Sequence, residues 1–243
     1  MEVRLLLFMR VDPHTLGSVL HVMKRGARGM EIVRDASDKK HFLKCLFYLN
    51  DTHQDQNWRQ NLTNAERFER PKHWPERKPL VDVWAWTLMP NHFHLIVRER
   101  TENGLSLFMQ RLGGSMSARF NAKYKERGSI FQGAYKGRTV TEDADLRWLA
   151  SYVMVKNTLE LYPGGLAKAV THLKKAWLWG IEYPFSSMGI YAGAHSSPII
   201  ETKDNLLQKL FKSPEHFKTD SFDMVRGFVE KRARDSDPSL TLE

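Results

Sequence analysis

The sequence is poor in cysteine, in long apolar runs and in acidic charge. Cys45 is the single cysteine among 243 residues, which excludes an internal disulfide. In the stretch from His41 to Leu49 it reads as a small apolar filler in a helix, and its isolation fits a reducing cytoplasm. Near the start, only Leu5–Phe8 form an apolar run before Met9 and Arg10. That is too short for the apolar region of a signal peptide and far too short to span a bilayer, so the chain is expected in the cytoplasm with no membrane partner. Internal repeats and low-complexity tracts are also lacking. Acidic residues number 28 against 37 basic ones, a net charge of +9. The resulting pI near 9.6 points to a polyanionic partner, because each phosphate neutralised releases condensed counterions. What is present is ordinary for a globular protein, with 42% hydrophobic and 27% charged residues, and 243 residues suffice for a real core.

Ser18–Lys24 is apolar and β-branched and stops at Arg25-Gly26, which predicts a strand. Asp38–Asn50 predicts a helix, with Phe42, Cys45, Leu46 and Leu49 at spacings of three and four and Asp38 near the positive end of the helix dipole. Residues 51–79 are polar, carry Pro71, Pro75 and Pro79, and read as a long inserted loop. Val81–Leu88 and His92–Val97 suit strands, and the Met89-Pro90-Asn91 break makes them a hairpin. Leu105–Tyr124 carries a helical stripe of Leu105, Phe108, Leu112, Met116 and Phe120, weakened by Gly113-Gly114. Phe131–Val140 returns to strand character, and Asp145–Tyr162 predicts one long helix ended by Pro163-Gly164-Gly165.

Strand, helix, strand, strand, helix, strand is the order of the ferredoxin-like split βαβ core. The expected class is α+β, an antiparallel sheet with helices on one face. Beyond Gly165 come Trp177 and Trp179, a turn at Tyr183-Pro184, and two amphipathic helices near 203–212 and 221–234, a mainly helical C-terminal extension.

Two residue groups carry chemistry. His92 and His94 are two apart, so on a strand both imidazoles face the same side while Phe93, Leu95 and Val97 anchor the other. That geometry suits one shared metal ion, although two strand histidines are also satisfied by water or hydrogen bonds. The stretch 111–140 holds Arg111, Arg119, Lys123, Lys125, Arg127, Lys136 and Arg138 against Glu126 alone. Interleaved with these cations, Phe120, Tyr124, Phe131 and Tyr135 suit stacking on unpaired bases beside a phosphate track. The alternative is that the rings face the core and the cations solvate a helix and a turn.

The segment Trp84–Val97 (WAWTLMPNHFHLIV) resembles the strand-turn-HUH signature of REP-associated, single-tyrosine transposases, with Phe93 as the hydrophobic residue between the histidines. The resemblance extends, in the family's order, to 20–29 (LHVMKRGARG), 32–46 (IVRDASDKKHFLKCL), 105–124 (LSLFMQRLGGSMSARFNAKY), 127–138 (RGSIFQGAYKGR), 151–157 (SYVMVKN) and 183–193 (YPFSSMGIYAG). It implies a catalytic domain over 17–162 followed by an extension over 163–243. The implied activity is a metal-assisted transesterase that cuts single-stranded, hairpin-forming DNA through a 5′-phosphotyrosine link, as monomer or homodimer.

Among Tyr124, Tyr135 and Tyr152, the resemblance selects Tyr152 as the nucleophile, on the helix after the last core strand. Spacing alone reads it as core, because Trp148, Tyr152, Val155 and Leu159 recur as an apolar helical face. Relatives commonly place an amide or similar metal ligand one turn after the tyrosine, whereas here position 154 is Met and position 156 is Lys. In a regular helix Lys156 returns beside Tyr152 and Asn157 is swung away. Either a local irregularity aims Asn157 inward, or the third ligand comes from Glu142, Asp143 or Asp145, or Lys156 itself steadies the phosphate. The reading adopted has His92 and His94 holding Mg²⁺ or Mn²⁺ with water, Asn157 as the further candidate ligand, and Lys156 assisting electrostatically. Two other readings compete with it. One is a catalytically silent descendant that still binds DNA hairpins; the other is a metal-dependent hydrolase using an activated water and no tyrosine.

Overall fold

The computed structural model describes residues 14–62 and 68–235. The apolar run Leu5–Phe8 and the middle of the polar insertion lie outside the described residues. Among the described residues two compact units emerge, one from those before 85 with 90–140 and 197–201, the other from 85–89, 141–196 and 202–235. Residues 141–162, read from sequence as the end of the catalytic domain, thus group with the later helices.

The described strands are β1 (Val19–Arg25), β2 (Val81–Leu88), β3 (His92–Glu99) and β4 (Lys136–Val140). They form one sheet in the order β2-β3-β1-β4, and β1 runs antiparallel to both β3 and β4. β3 thus lies between β1 and β2, the split βαβ arrangement that the sequence order predicts. The last strand is shorter than expected: Phe131 makes only an isolated bridge to Gly26, and regular pairing starts at Lys136.

In the first unit, period-two alternation places Leu20, Val22, Phe93, Leu95 and Val97 on one face, all with no exposed surface. Helix α1 (Ala36–Tyr48) sends Phe42 onto Phe93, ring centroids 5.1 Å apart. Each such fully buried side chain contributes about 1.5–3 kcal/mol. The α1 start is set by Asp35, whose carboxylate accepts from the Ser37 and Asp38 amides at 2.9 and 3.0 Å. The described residues of the 51–79 insertion are largely irregular apart from a single turn, α2 (Trp58–Asn61).

Helix α3 (Gly104–Tyr124) runs unbroken through Gly113-Gly114, against the expected weakening. A Cβ on Gly113 would meet the end of the Lys24 side chain at 3.2 Å, so this glycine leaves that side chain room beside the helix. Salt bridges clamp α1 to α3, with Lys123 Nζ 2.9 Å from Asp38 and Arg119 3.8 Å from it. Hydrogen bonds from the Lys123 ammonium, the Asp38 amide and Ser37 hold the Asp35 carboxyl well below its usual range.

The second unit begins with Ala85–Leu88 of β2 and continues through α4 (Asp143–Ser151), a wide π turn (Tyr152–Lys156) and α5 (Asn157–Glu160). Short helices follow: α6 (Gly165–Thr171), α7 (Leu173–Ile181), α8 (Met188–Tyr191) and α9 (Leu206–Leu210). The long α10 (Pro214–Asp235) comes last. The predicted single helix 145–162 is therefore interrupted, and the interruption falls on the tyrosine segment. Among the described residues no helix is long and apolar enough to cross a membrane.

Candidate active site

Pairing in the sheet puts His92 opposite Arg25, and His94 opposite Met23. Across β1, Met23 faces Lys136 and His21 faces Arg138. Opposed residues share a face, so His21, Arg25, His92, His94, Lys136 and Arg138 all stand on the side away from Phe93. The His92 and His94 rings are 5.0 Å apart and nearly perpendicular. His92 is half-buried and His94 only 4% exposed. Each uses its Nδ1 in a hydrogen bond: His92 with Asn91 Oδ1 at 2.6 Å, His94 with His21 Nε2 at 2.8 Å. A metal ligand whose Nδ1 is engaged coordinates through Nε2, so Nε2 is the atom through which each ring could hold a divalent cation. No cluster of three His, Cys, Asp or Glu suited to a metal occurs among the described residues, and Glu142, Asp143 and Asp145 join none. Further ligands would be water, substrate oxygen or an amide.

The seven cations of 111–140 are divided. Lys136 and Arg138 are exposed on the histidine face, and a hollow of about 170 Å³ is lined by Met23, Arg25, Gln132, Gly133, Ala134 and Lys136. Arg25 is a cation of this face that residue spacing did not single out, because only the β1 register reveals it. Lys125 and Arg127 are exposed at the end of α3. Arg111 instead donates to the Asp51 carbonyl, while Arg119 and Lys123 bind the start of α1. The aromatic residues are likewise turned to structure. Phe120 and Tyr124 hold the Arg34 guanidinium at 4.6 Å from each ring, and Phe131 packs on Phe93. The Tyr124 hydroxyl donates to Asp38 at 2.7 Å, and the Tyr135 hydroxyl lies 3.2 Å from Ser106 Oγ.

In the second unit Tyr152 is half-buried and follows a strongly exposed Trp148, at 46%. Val155 and Leu159 are fully buried, so the expected four-residue apolar face is split, and Tyr152 is not a core residue. The Trp148 and Tyr152 rings stack, 5.4 Å apart and 14° from parallel. α4 and α10 border a groove of about 680 Å³ whose lining includes Trp148, Ser151 and Phe228.

The backbone here widens by one residue: the Asn157 amide bonds to the Tyr152 carbonyl, five residues back. Such a turn brings residue i+5 towards the side that i occupies, the irregularity needed to bring Asn157 round towards the side of Tyr152. Side chains occupy the carbonyls that the wide turn disturbs. Thr87 donates to the Val153 carbonyl, and Ser186 (3.2 Å) and Thr158 (2.6 Å) to that of Met154. Asn157 is 1% exposed; its Oδ1 accepts from Lys156 Nζ at 3.4 Å and its Nδ2 has no hydrogen-bond partner. The buried Lys156 ammonium is paired with Glu160 at 2.6 Å and lies over the Tyr152 ring.

The 183–193 block is explained by the same unit. The Leu88 amide bonds the Phe185 carbonyl, the Trp86 amide bonds Ser187 Oγ, and the Ser187 amide bonds the Trp86 carbonyl, each at 3.0 Å. This clip ties β2 to Ser186 and so to the tyrosine turn.

No curated protein matches the chain. A solved structure of a REP-associated tyrosine transposase bound to a REP hairpin is similar at 13% identity and a TM-score of 0.44, over 80% of this chain and 90% of that one. A family model described as "Transposase IS200 like" matches residues 60–156, the span that holds both histidines, Tyr152 and Lys156. Over residues 60–156 the chain is thus similar to IS200-like transposases.

Proposed function

We propose that the chain is a single-strand DNA endonuclease and strand transferase acting on hairpin-forming DNA, with Tyr152 as nucleophile. The observation that carries this reading is the His92–His94 pair, on one sheet face with each Nδ1 engaged, within the family-matched span. His92 and His94 would hold the cation, Mg²⁺ or Mn²⁺, and Asn157 is the candidate further ligand through Oδ1, a carbonyl oxygen of the kind such cations take. When bound, the cation supplies Lewis-acid stabilisation of a non-bridging phosphate oxygen. The Tyr152 oxygen bonds to phosphorus as the bond from phosphorus to the 3′-oxygen breaks; the phenol gives up its proton and the departing 3′-oxygen takes one up. The product is a 5′-phosphotyrosine with a free 3′-hydroxyl, and attack by another 3′-hydroxyl reverses the step, so strands rejoin without ATP. Arg25, Lys136 and Arg138 are suited to the flanking phosphates. The setting proposed is the cytoplasm, as monomer or homodimer.

The test is incubation with labelled hairpin oligonucleotides carrying single-stranded flanks and Mn²⁺, followed by denaturing electrophoresis. The expected result is a protein-linked band lost in Tyr152→Phe and in His92→Ala. Cleavage that persists without any adduct in Tyr152→Phe would favour the water-using hydrolase instead. Hairpin binding with no cleavage across a wide set of sequences would leave the silent binder.

A further inference from the structure

We propose that His21 is a positioning residue for His94, fixing its tautomer and ring direction for metal binding; the inference rests on the metal reading above. His21 stands on β1, diagonal to His94, and its Nε2 lies 2.8 Å from His94 Nδ1 with the two rings within 14° of parallel. They are 73 residues apart in sequence and meet only because β1 and β3 pair. For His94 to coordinate through Nε2, its Nδ1 must carry the proton and donate it. His21 Nε2 is the acceptor at that position, so His21 carries its own proton on Nδ1. Metal-binding histidines generally need such a partner, and losing it costs roughly 10–100-fold in metal affinity. His94 is 4% exposed, so water is a poor substitute acceptor there.

Direct ligation by His21 is the other role this contact suggests. It is disfavoured because no three metal-capable His, Cys, Asp or Glu side chains converge among the described residues. His21 also faces Arg138 across the β1–β4 pair, which places a cation beside it. The assigned role therefore calls for an acceptor at one point in space, and the imidazole itself is dispensable.

The test is Mn²⁺ titration of the full-length chain without DNA, following free Mn²⁺ by electron paramagnetic resonance, with thermal melts as a fold control. His21→Ala is expected to weaken Mn²⁺ binding about 10–100-fold. In His21→Gln the carboxamide oxygen falls near the place of Nε2 and accepts the same hydrogen bond, so affinity should return to within about threefold of the parent. Parent-like affinity in His21→Ala overturns the proposal, as does His21→Gln as weak as His21→Ala with an unchanged melt. His94→Ala separates the two levels of inference. If it binds Mn²⁺ as the parent does, the metal reading itself fails, and the role of His21 with it.

Discussion

The Lys156 ammonium lies 4.7 Å from the centroid of the Tyr152 ring and 4.9 Å from that of Phe228, held there by its ion pair with Glu160. On the proposed reading this ammonium would stand beside the attacking tyrosine and assist it electrostatically. A buried cation over an aromatic ring is worth about 1–2 kcal/mol. Were about 1.4 kcal/mol of stabilisation gained only in the transition state, Lys156→Gln would slow single-turnover cleavage about tenfold, and that is the expected outcome. An unchanged rate would remove Lys156 from the chemistry.

Trp148 is the exposed end of the stack that includes Tyr152. Unpaired bases stack on such rings with about 1–3 kcal/mol each, whatever their identity. Trp148→Ala should weaken binding of a hairpin with a single-stranded flank by at least fivefold, a loss of about 1 kcal/mol or more. The blunt hairpin should be unaffected, and Trp148→Phe should keep most of the affinity. Equal losses for flanked and blunt hairpins would show that the ring does not select unpaired bases.

Much of the histidine half was legible in the residues, because a strand alternates strictly and His92, Phe93 and His94 obey that alternation. The tyrosine half was less so. A helix read at 3.6 residues per turn places Trp148, Tyr152, Val155 and Leu159 together, and a single extra residue in the turn undoes that register. The support is partly remote in sequence, since two of the three hydroxyls that accommodate the turn come from Thr87 and Ser186. His21 was hidden for the same reason. In the cation cluster, charge density marked Arg119 and Lys123 as basic, but not their acidic partners Asp35 and Asp38, which lie more than 80 residues upstream.

The wide turn yields a third prediction. Thr87 Oγ1 donates to the Val153 carbonyl and lies 3.2 Å from Ser186 Oγ, which donates to the Met154 carbonyl. A buried carbonyl deprived of its donor costs about 1–3 kcal/mol. Thr87→Val, nearly isosteric, should lower the urea-derived stability by that amount and reduce cleavage beyond what the unfolded fraction explains. Because the two hydroxyls touch, Thr87→Val with Ser186→Ala should cost less than the sum of the singles. Strict additivity would mean that they act on the turn independently.

His41 sets an acid limit on the first unit. It is 4% exposed, lies 3.1 Å from Ser115 Oγ and 3.4 Å from Cys45 Sγ, and burial, then Arg119 and Arg59, push its pKa down to about 3. In the unfolded chain the same imidazole titrates near 6.5. As pH falls below 6.5 the unfolded state takes up a proton that the folded state refuses until about pH 3. The stability that His41 contributes is thus complete above pH 6.5 and declines steadily below it, by about 2 kcal/mol at pH 5. Urea midpoints at pH 7.5 and 5 should therefore fall for the parent chain and fall less for His41→Gln. That variant keeps an amide near Ser115 but has nothing to titrate. It should be the weaker protein at pH 7.5 and close much of the gap at pH 5; a constant gap at both values would place the acid sensitivity elsewhere.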